Sequence, residues 1–364
     1  MASDLISFAR GAPSADILPV EAVRKAAASA LEDDWERALS YGKGEGHRGL
    51  VEWIAERHSI SPAQVMVTNG SLEAGAMLFE HLLEPGDRVI VEQPSYDRTL
   101  LLLGRLGVEL VPVALEADGL DVGVLESVLK DGPVKLAHLI PNFHNPAGCT
   151  LSASKRERVL ELATEHGFWV FEDDPYRELP FEQPPPQTML SNCGSDQVIH
   201  ASSFSKTVAP GLRVGWYILP SELAGSLIER ANATYITPVL LGQAVVYEFI
   251  RRGSFEPNLV RVNGLLKERR DAMLAALEKH FAGSVWSRPE GGYFIWLELP
   301  SGMSAKQVLD RAEGVTAVLG TDFGGNYNTI RLAYSYVSPE EIDVGIERLA
   351  AAVAAQADEA SQTV

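Results

Sequence analysis

From residue 64 onward, short apolar runs alternate with longer segments in which apolar positions recur every three or four residues. Runs at 64–68, 88–92, 108–113, 134–140, 168–172, 197–201 and 213–219 predict strands, and the segments 71–83, 96–106, 124–130 and 152–166 predict helices. Alternation of this kind predicts an α/β fold with a mostly parallel sheet flanked by helices. Beyond residue 221 the period lengthens into helices at 221–233, 241–252 and 254–280. Strands at 293–299, 315–319 and 329–334 and a final helix from Pro339 to about Ala355 follow, and this mixture predicts a smaller α+β domain. The expected division is an N-terminal arm with part of the small domain at 1–36, a large domain at 37–243, and an interdomain helix with the C-terminal small domain at 244–364. The apolar period fades after Ala355, which predicts a frayed tail.

Composition narrows the partners. The 364 residues carry a formal net charge of −18, with 46% hydrophobic and 22% charged residues. A large buried core is expected, and nucleic acid and anionic membranes are disfavoured as partners. The opening residues contain no long apolar run and no basic leader, and no stretch approaches the length of a membrane span, so a cytoplasmic location is expected. Cys149 and Cys193 lack nearby histidines and are expected to be free thiols, with no metal site.

Gly44-Glu45-Gly46-His47-Arg48-Gly49 matches G-x-G-x-x-G literally. A dinucleotide site needs a hydrophobic strand before it and an acidic residue about 20 positions later. Residues 34–39 look helical and Asn69 stands where the acid should be, so this is expected to be a glycine-rich loop leading into a helix over 50–57.

The residues suited to chemistry stand where predicted strands end. Ser202-Ser203-Phe204-Ser205-Lys206, followed by Pro210-Gly211-Leu212-Arg213, offers hydroxyls and a guanidinium for a phosphate and an amine for a carbonyl. By itself this could equally be a solvated serine-rich turn. Glu172-Asp173-Asp174-Pro175-Tyr176 offers a carboxylate for a pyridine nitrogen and a phenol for a ring oxygen. Pro141-Asn142-Phe143-His144-Asn145-Pro146 brings a second donor to that oxygen, and Asn69-Gly70-Ser71 opens a helix whose N-terminus favours a phosphate. Each piece has an ordinary alternative as a cap or turn, but the four follow successive strands in one order.

These motifs, with the chain from Ile6-Ser7-Phe8 to the last helix, resemble the fold-type I, pyridoxal-5′-phosphate (PLP) dependent class I/II aminotransferases, and most the 2-aminoadipate and aromatic aminotransferase branch. The resemblance implies that Lys206 in S-F-S-K carries the cofactor as an imine and shuttles the proton. It implies that Asp173 meets the pyridine nitrogen and that Tyr176 and Asn145 meet the ring oxygen. Ser71, the backbone at Leu72, Ser203, Ser205 and Arg213 would hold the phosphate, with Tyr96 of Q-P-S-Y stacked on the ring. Tyr41 of S-Y-G-K-G-E-G is similar to a phosphate-contacting tyrosine donated by a second subunit, which implies a homodimer with shared active sites. Arg331 in N-T-I-R-L-A-Y resembles the arginine that grips the substrate α-carboxylate, with Asn145 beside it. Leu72 stands where relatives often have Gln, and Arg10 interrupts an F-A-G-G-x-P segment. Arg10 is either a ligand for a second acidic group of the substrate or a surface residue.

The implied activity moves an amino group from an L-amino acid to a 2-oxo acid, 2-oxoglutarate by resemblance, with ping-pong kinetics. A PLP lyase or decarboxylase of the same fold is the alternative, because cofactor motifs fix the chemistry better than the bond that breaks. A non-catalytic aminotransferase-like sensor is a further one, disfavoured by the acidic balance and by a chain that starts at the arm.

Overall fold

The computed structural model describes residues 5–192, 197–281 and 283–362, so Cys193 lies outside the described residues. Cys149 is free, as expected.

The large sheet has eight strands, in the order Val65–Thr68, Gly215–Ile218, Val198–Ser203, Trp169–Asp173, Leu136–Leu139, Arg88–Gln93, Glu109–Glu116 and Gly119–Leu120. The five from Val198–Ser203 to Glu109–Glu116 are mutually parallel. Gly215–Ile218 is antiparallel to both its neighbours, and Gly119–Leu120 folds back on Glu109–Glu116. Leu136–Leu139, Val198–Ser203 and Gly215–Ile218 are buried along their whole length, as inner strands are when helices cover both faces of the sheet.

The smaller sheet is antiparallel, in the order Val285–Trp286, Phe294–Glu298, Thr329–Ala333 and Val318–Leu319. Its core joins Ile295, Leu297, Ile330 and Leu332 to Ile342, Ile346 and Leu349 of the last helix, and it takes in Ile6 and Phe8 from the arm. The 26-residue helix Phe255–His280 runs between the two sheets, a length of about 39 Å at 1.5 Å per residue. A separate cluster of Ile17, Phe143, Tyr176, Leu179, Tyr293 and Phe294 fills the junction. The Tyr176 ring lies 5.5 Å from Tyr293 and 5.8 Å from Phe294, an aromatic packing that fixes one sheet against the other.

Several elements differ from expectation, short ones such as Gly119–Leu120, Ala305–Arg311 and Val285–Trp286 among them. The run 315–319 is two strands, because Val315–Thr316 pairs in parallel with Ile6–Ser7 while Val318–Leu319 pairs with Thr329–Ala333. The last helix keeps its backbone to Gln362, sustained past the apolar period by alanine and glutamine, both good helix formers. The helix Val20–Asp33 has no predicted counterpart. Its buried face is Ala26, Ser29 and Ala30, small residues that give little contrast in sequence yet let it lie close on Leu240–Arg251. The glycine-rich segment 44–49 does lead into a helix, Arg48–His58, capped by His47.

Candidate active site

Parallel strands send their following loops to one edge of the sheet, and that edge is where ligand sites form. Here the edge holds a cavity of about 190 Å³ lined by Ser71, Leu72, Tyr96, Asn145, Asp173, Tyr176, Ser203, Ser205, Lys206 and Arg213. Ten of the expected site residues thus share one cavity although they are spread over 143 positions. A larger hollow of about 720 Å³ lies elsewhere, lined by Tyr41, Gly42, Lys43 and Leu240 among others, and Tyr41 is 82% exposed. The smaller cavity is the one that brings an amine of lowered basicity together with a carboxylate whose buried oxygen has no partner among the described residues, so it is the candidate for chemistry.

At one end the backbone forms a tight cradle. Gly70 has φ of +101° and precedes the helix Ser71–Leu82, whose first N–H groups face the cavity edge. A Cβ on Gly70 would lie 2.4 Å from a terminal nitrogen of Arg213, and one on Gly215 would lie 2.5 Å from the Ser71 nitrogen. Arg213, itself at φ +52°, donates to the carbonyls of Asn69 at 3.1 Å and Pro210 at 3.2 Å. Ser203 Oγ accepts from the Ser205 backbone N–H at 2.9 Å. Asn69 is pinned by donating to Glu73 at 2.9 Å and accepting from the Val239 N–H at 2.8 Å.

In the middle, Asp173 closes the strand Trp169–Asp173. Its Oδ2 lies 3.6 Å from His138 Nε2, while its buried Oδ1 has no hydrogen-bond partner among the described residues. Lys206 Nζ donates to the Gly11 carbonyl at 3.3 Å. Burial, with Arg331 and Arg213 adding repulsion and Asp173 opposing them, pushes the amine down to about 8. Tyr176 is buried, and burial holds its hydroxyl protonated and hence a donor. Burial, with Asp97 and Asp173 contributing, raises Tyr96 to about 12.

Arg331, on the small sheet, lies outside that lining and meets one of its residues, Asn145. Its guanidinium donates to Asn145 Oδ1 at 3.0 Å and to the Ala9 carbonyl at 2.8 Å, and it lies over the rings of Phe294 at 4.5 Å and Phe323 at 4.7 Å. Arg10 is exposed and donates to the Tyr336 hydroxyl at 2.9 Å.

Several contributors have no motif in the sequence. His138 pairs in register with Phe171, so it shares the sheet face of Phe171 and of Asp173 two residues on. A polar residue inside an apolar strand was its only signal. Tyr293 donates to the Lys206 carbonyl at 3.3 Å, and Thr99 lines the cavity 3.5 Å from His138. Arg156 is fully buried and donates to the carbonyls of Leu151 and Pro141 and to Asn142 Oδ1, which fixes the loop that carries Asn145.

The profile of the family described as "Aminotransferase class I and II" matches residues 3–349. The aromatic-amino-acid aminotransferase 1 of Thermococcus litoralis is 35% identical, with 96% of this chain and 88% of that protein covered. The 2-aminoadipate transaminase of Thermus thermophilus is also 35% identical, over 96% of this chain and 90% of its own length. Among solved structures, the kynurenine aminotransferase of Pyrococcus horikoshii in complex with PMP superposes with a TM-score of 0.94. It is 34% identical, and the match covers 98% of this chain and 92% of that one.

The cavity fits PLP. It offers a carboxylate oxygen without a partner among the described residues for the pyridine nitrogen, a part-buried amine for the aldehyde, and a glycine-lined cradle beside Arg213 for the phosphate. The chain belongs to the class I and II aminotransferases, and it is an enzyme of fold type I that transfers amino groups with pyridoxal 5′-phosphate as cofactor.

Proposed function

We propose that this chain transfers the amino group of a large L-amino acid, with an aromatic or a dicarboxylic side chain, to 2-oxoglutarate by a ping-pong mechanism. The observation that carries the reading is a part-buried amine of lowered basicity, Lys206, which feels both a carboxylate with an unpaired oxygen, Asp173, and a guanidinium held in a fixed plane, Arg331. Names of the relatives support the donor class: they include aromatic-amino-acid, 2-aminoadipate and kynurenine aminotransferases.

In this reading Ser71, the backbone at Leu72, Ser203, Ser205 and Arg213 hold the cofactor phosphate, Tyr96 covers one face of its ring, and Tyr176 and Asn145 donate to its ring oxygen. Asp173 keeps the pyridine nitrogen protonated. Bound PLP supplies an electron sink conjugated to the substrate Cα. Arg331 takes the substrate α-carboxylate through its planar fork and so orients the Cα–H bond. Lys206 Nζ removes the Cα proton, and in the second half-reaction it delivers a proton to Cα of the incoming oxo acid. Its lowered basicity keeps a useful neutral fraction near neutral pH. Arg10, exposed on the arm between Ala9 and Gly11, meets the second carboxylate of a dicarboxylic substrate.

Tyr41 is read as reaching a partner subunit's phosphate site in a homodimer with shared active sites. Its 82% exposure and its distance from this chain's own cavity lining support that. The domain boundaries are placed at 36/37 and 243/244; the small-sheet core, which takes in Ile6 and Phe8, supports grouping the start of the arm with the C-terminal unit. No helix among the described residues is long and apolar enough to cross a membrane, and the unpaired Cys149 suits a reducing cytoplasm.

The test is a titration of the PLP-loaded enzyme with single amino acids in the absence of any oxo acid. Conversion of the cofactor to its amine form by aromatic acids or 2-aminoadipate, with parallel initial-rate plots once 2-oxoglutarate is added, is expected. Release of ammonia or CO₂ without that conversion would overturn the reading in favour of a lyase or decarboxylase.

A further inference from the structure

Three consecutive arm residues face three different groups. The Ala9 carbonyl accepts from Arg331, the Arg10 side chain donates to Tyr336, and the Gly11 carbonyl accepts from Lys206 Nζ. Arg331 and Tyr336 lie on one continuous segment, the strand Thr329–Ala333 and its exit. That segment is bound to the arm twice more, by Ala333 N–H to the Phe8 carbonyl at 2.8 Å and by Ser335 Oγ to the Ala12 carbonyl at 3.0 Å. The Arg10 guanidinium stands 4.4 Å above the Tyr336 ring centroid while donating to its hydroxyl at 2.9 Å.

The anchor is neutral. A carboxylate in its place would orient Arg10 but cancel the charge that a substrate acid needs. A phenol ring holds the guanidinium by its π-face and hydroxyl and leaves the positive charge available. Among the described residues Arg10 has no ion-pair partner, and its remaining N–H groups are free to bind. A long exposed side chain otherwise loses much rotamer freedom on gripping a ligand, and prior anchoring reduces that loss.

We propose that Tyr336 is a positioning residue for substrate choice. It holds Arg10 at a set span from Arg331, so that a distal carboxylate is recognised while the α-carboxylate is gripped. This rests on the reading of Arg10 as the second carboxylate ligand.

The experiment titrates the PLP-loaded enzyme with adipate and with hexanoate, unreactive six-carbon acids with two carboxylates and one, and follows the cofactor absorbance. Wild type is expected to bind adipate more tightly. Tyr336→Phe weakens adipate about twofold to threefold and Tyr336→Ala about fivefold to tenfold, and both leave hexanoate within about twofold. Arg10→Ala brings adipate to the level of hexanoate. Equal losses for both acids in Tyr336→Ala overturn the proposal, since that pattern marks a general support of the arm. Loss of adipate preference in Arg10→Ala but not in either Tyr336 variant also overturns it, and leaves the reading of Arg10 standing. Retention of the preference in Arg10→Ala removes that reading, and this proposal with it.

Discussion

Arg331, on the small antiparallel sheet, donates to the side-chain oxygen of Asn145, in the loop after the parallel strand Leu136–Leu139, across 3.0 Å. One hydrogen bond therefore joins the small sheet to a residue of the cavity lining. Phe294 and Phe323 lie against the guanidinium and fix its plane, which suits a bidentate carboxylate and not a point charge. Arg331→Lys is expected to raise KM for the amino donor about 10-fold to 100-fold and to change kcat much less. Steady-state kinetics with a single donor checks this, and an unchanged KM would remove Arg331 from substrate binding.

The lowered basicity of Lys206 sets a pH signature. If Lys206 carries the cofactor, its neutral amine is the nucleophile, and that fraction rises as pH passes through about 8, well below the ordinary lysine range near 10.5. Stripped of cofactor, the enzyme should recapture PLP at a rate that climbs with pH and is half-maximal near 8. Stopped-flow absorbance reads this directly. Lys206→Ala should show no covalent capture at any pH, and a midpoint above 10 in the wild type would contradict the placement of the amine.

Asp173→Asn preserves shape and removes charge. If Asp173 holds a proton on the pyridine nitrogen, kcat should fall about 10²-fold to 10³-fold, the scale for losing one organised electrostatic partner, while the PLP-loaded protein keeps its melting temperature within a few degrees. A loss under about fivefold would place the controlling charge elsewhere.

Much of this site was readable in the sequence because four of its parts are local. Strand-end motifs such as S-F-S-K and E-D-D-P-Y keep their residues within a few positions, and parallel topology then brings them to one edge. The alternation along Trp169–Asp173 and its exit sends Asp173 to the cavity and Asp174 to the far side, where it accepts from Asn142 at 2.7 Å. From spacing alone either carboxylate could have faced the cavity. The partners of Arg331 and Lys206 were not readable. Ala9 and Gly11 act through backbone carbonyls, which leave no trace in residue type. Tyr293 and His138 act through long-range packing and strand register. The split of 315–319 was equally hidden, since its two halves look alike and differ only in which distant strand each one pairs with.

Asp174 is fully buried, and burial together with the neighbouring Glu172 raises its carboxyl to about 6 from a normal 3.8. Between those values the folded protein holds a proton that the unfolded chain has released, so this group makes stability fall as pH rises through that window. Above about 6 the full cost of an ionised buried carboxylate is present. Asp174→Asn is therefore expected to stabilise at pH 7.5 by on the order of 1–3 kcal/mol, because each tenfold change in proton affinity is worth about 1.36 kcal/mol, and to lose that gain by about pH 4. Urea unfolding at both pH values gives the comparison. An equal effect at both would show that the amide acts through packing instead of charge.

Gly70→Ala tests the cradle. Its φ of +101° disfavours any side chain, and the added Cβ would push on Arg213. A loss of about 1–3 kcal/mol in stability is expected, with a clearly larger PLP dissociation constant. Fluorescence titration of the cofactor-free protein measures the second. Unchanged affinity would separate Arg213 and this turn from the phosphate.

The parallel pairing of Ile6–Ser7 with Val315–Thr316 closes a loop of more than 300 residues. Contacts so far apart in sequence form late, because the entropy of closing the loop is lost before the contact is gained. The arm, made more than 300 residues before its strand partner, is thus among the last segments to reach its final place, and it includes the carbonyls that face Arg331 and Lys206. Until the strand Thr329–Ala333 exists, the large sheet can form but its cavity has one open wall. A chain that ends before residue 315 contains all eight strands of the large sheet and lacks both Arg331 and the strand that seats the arm.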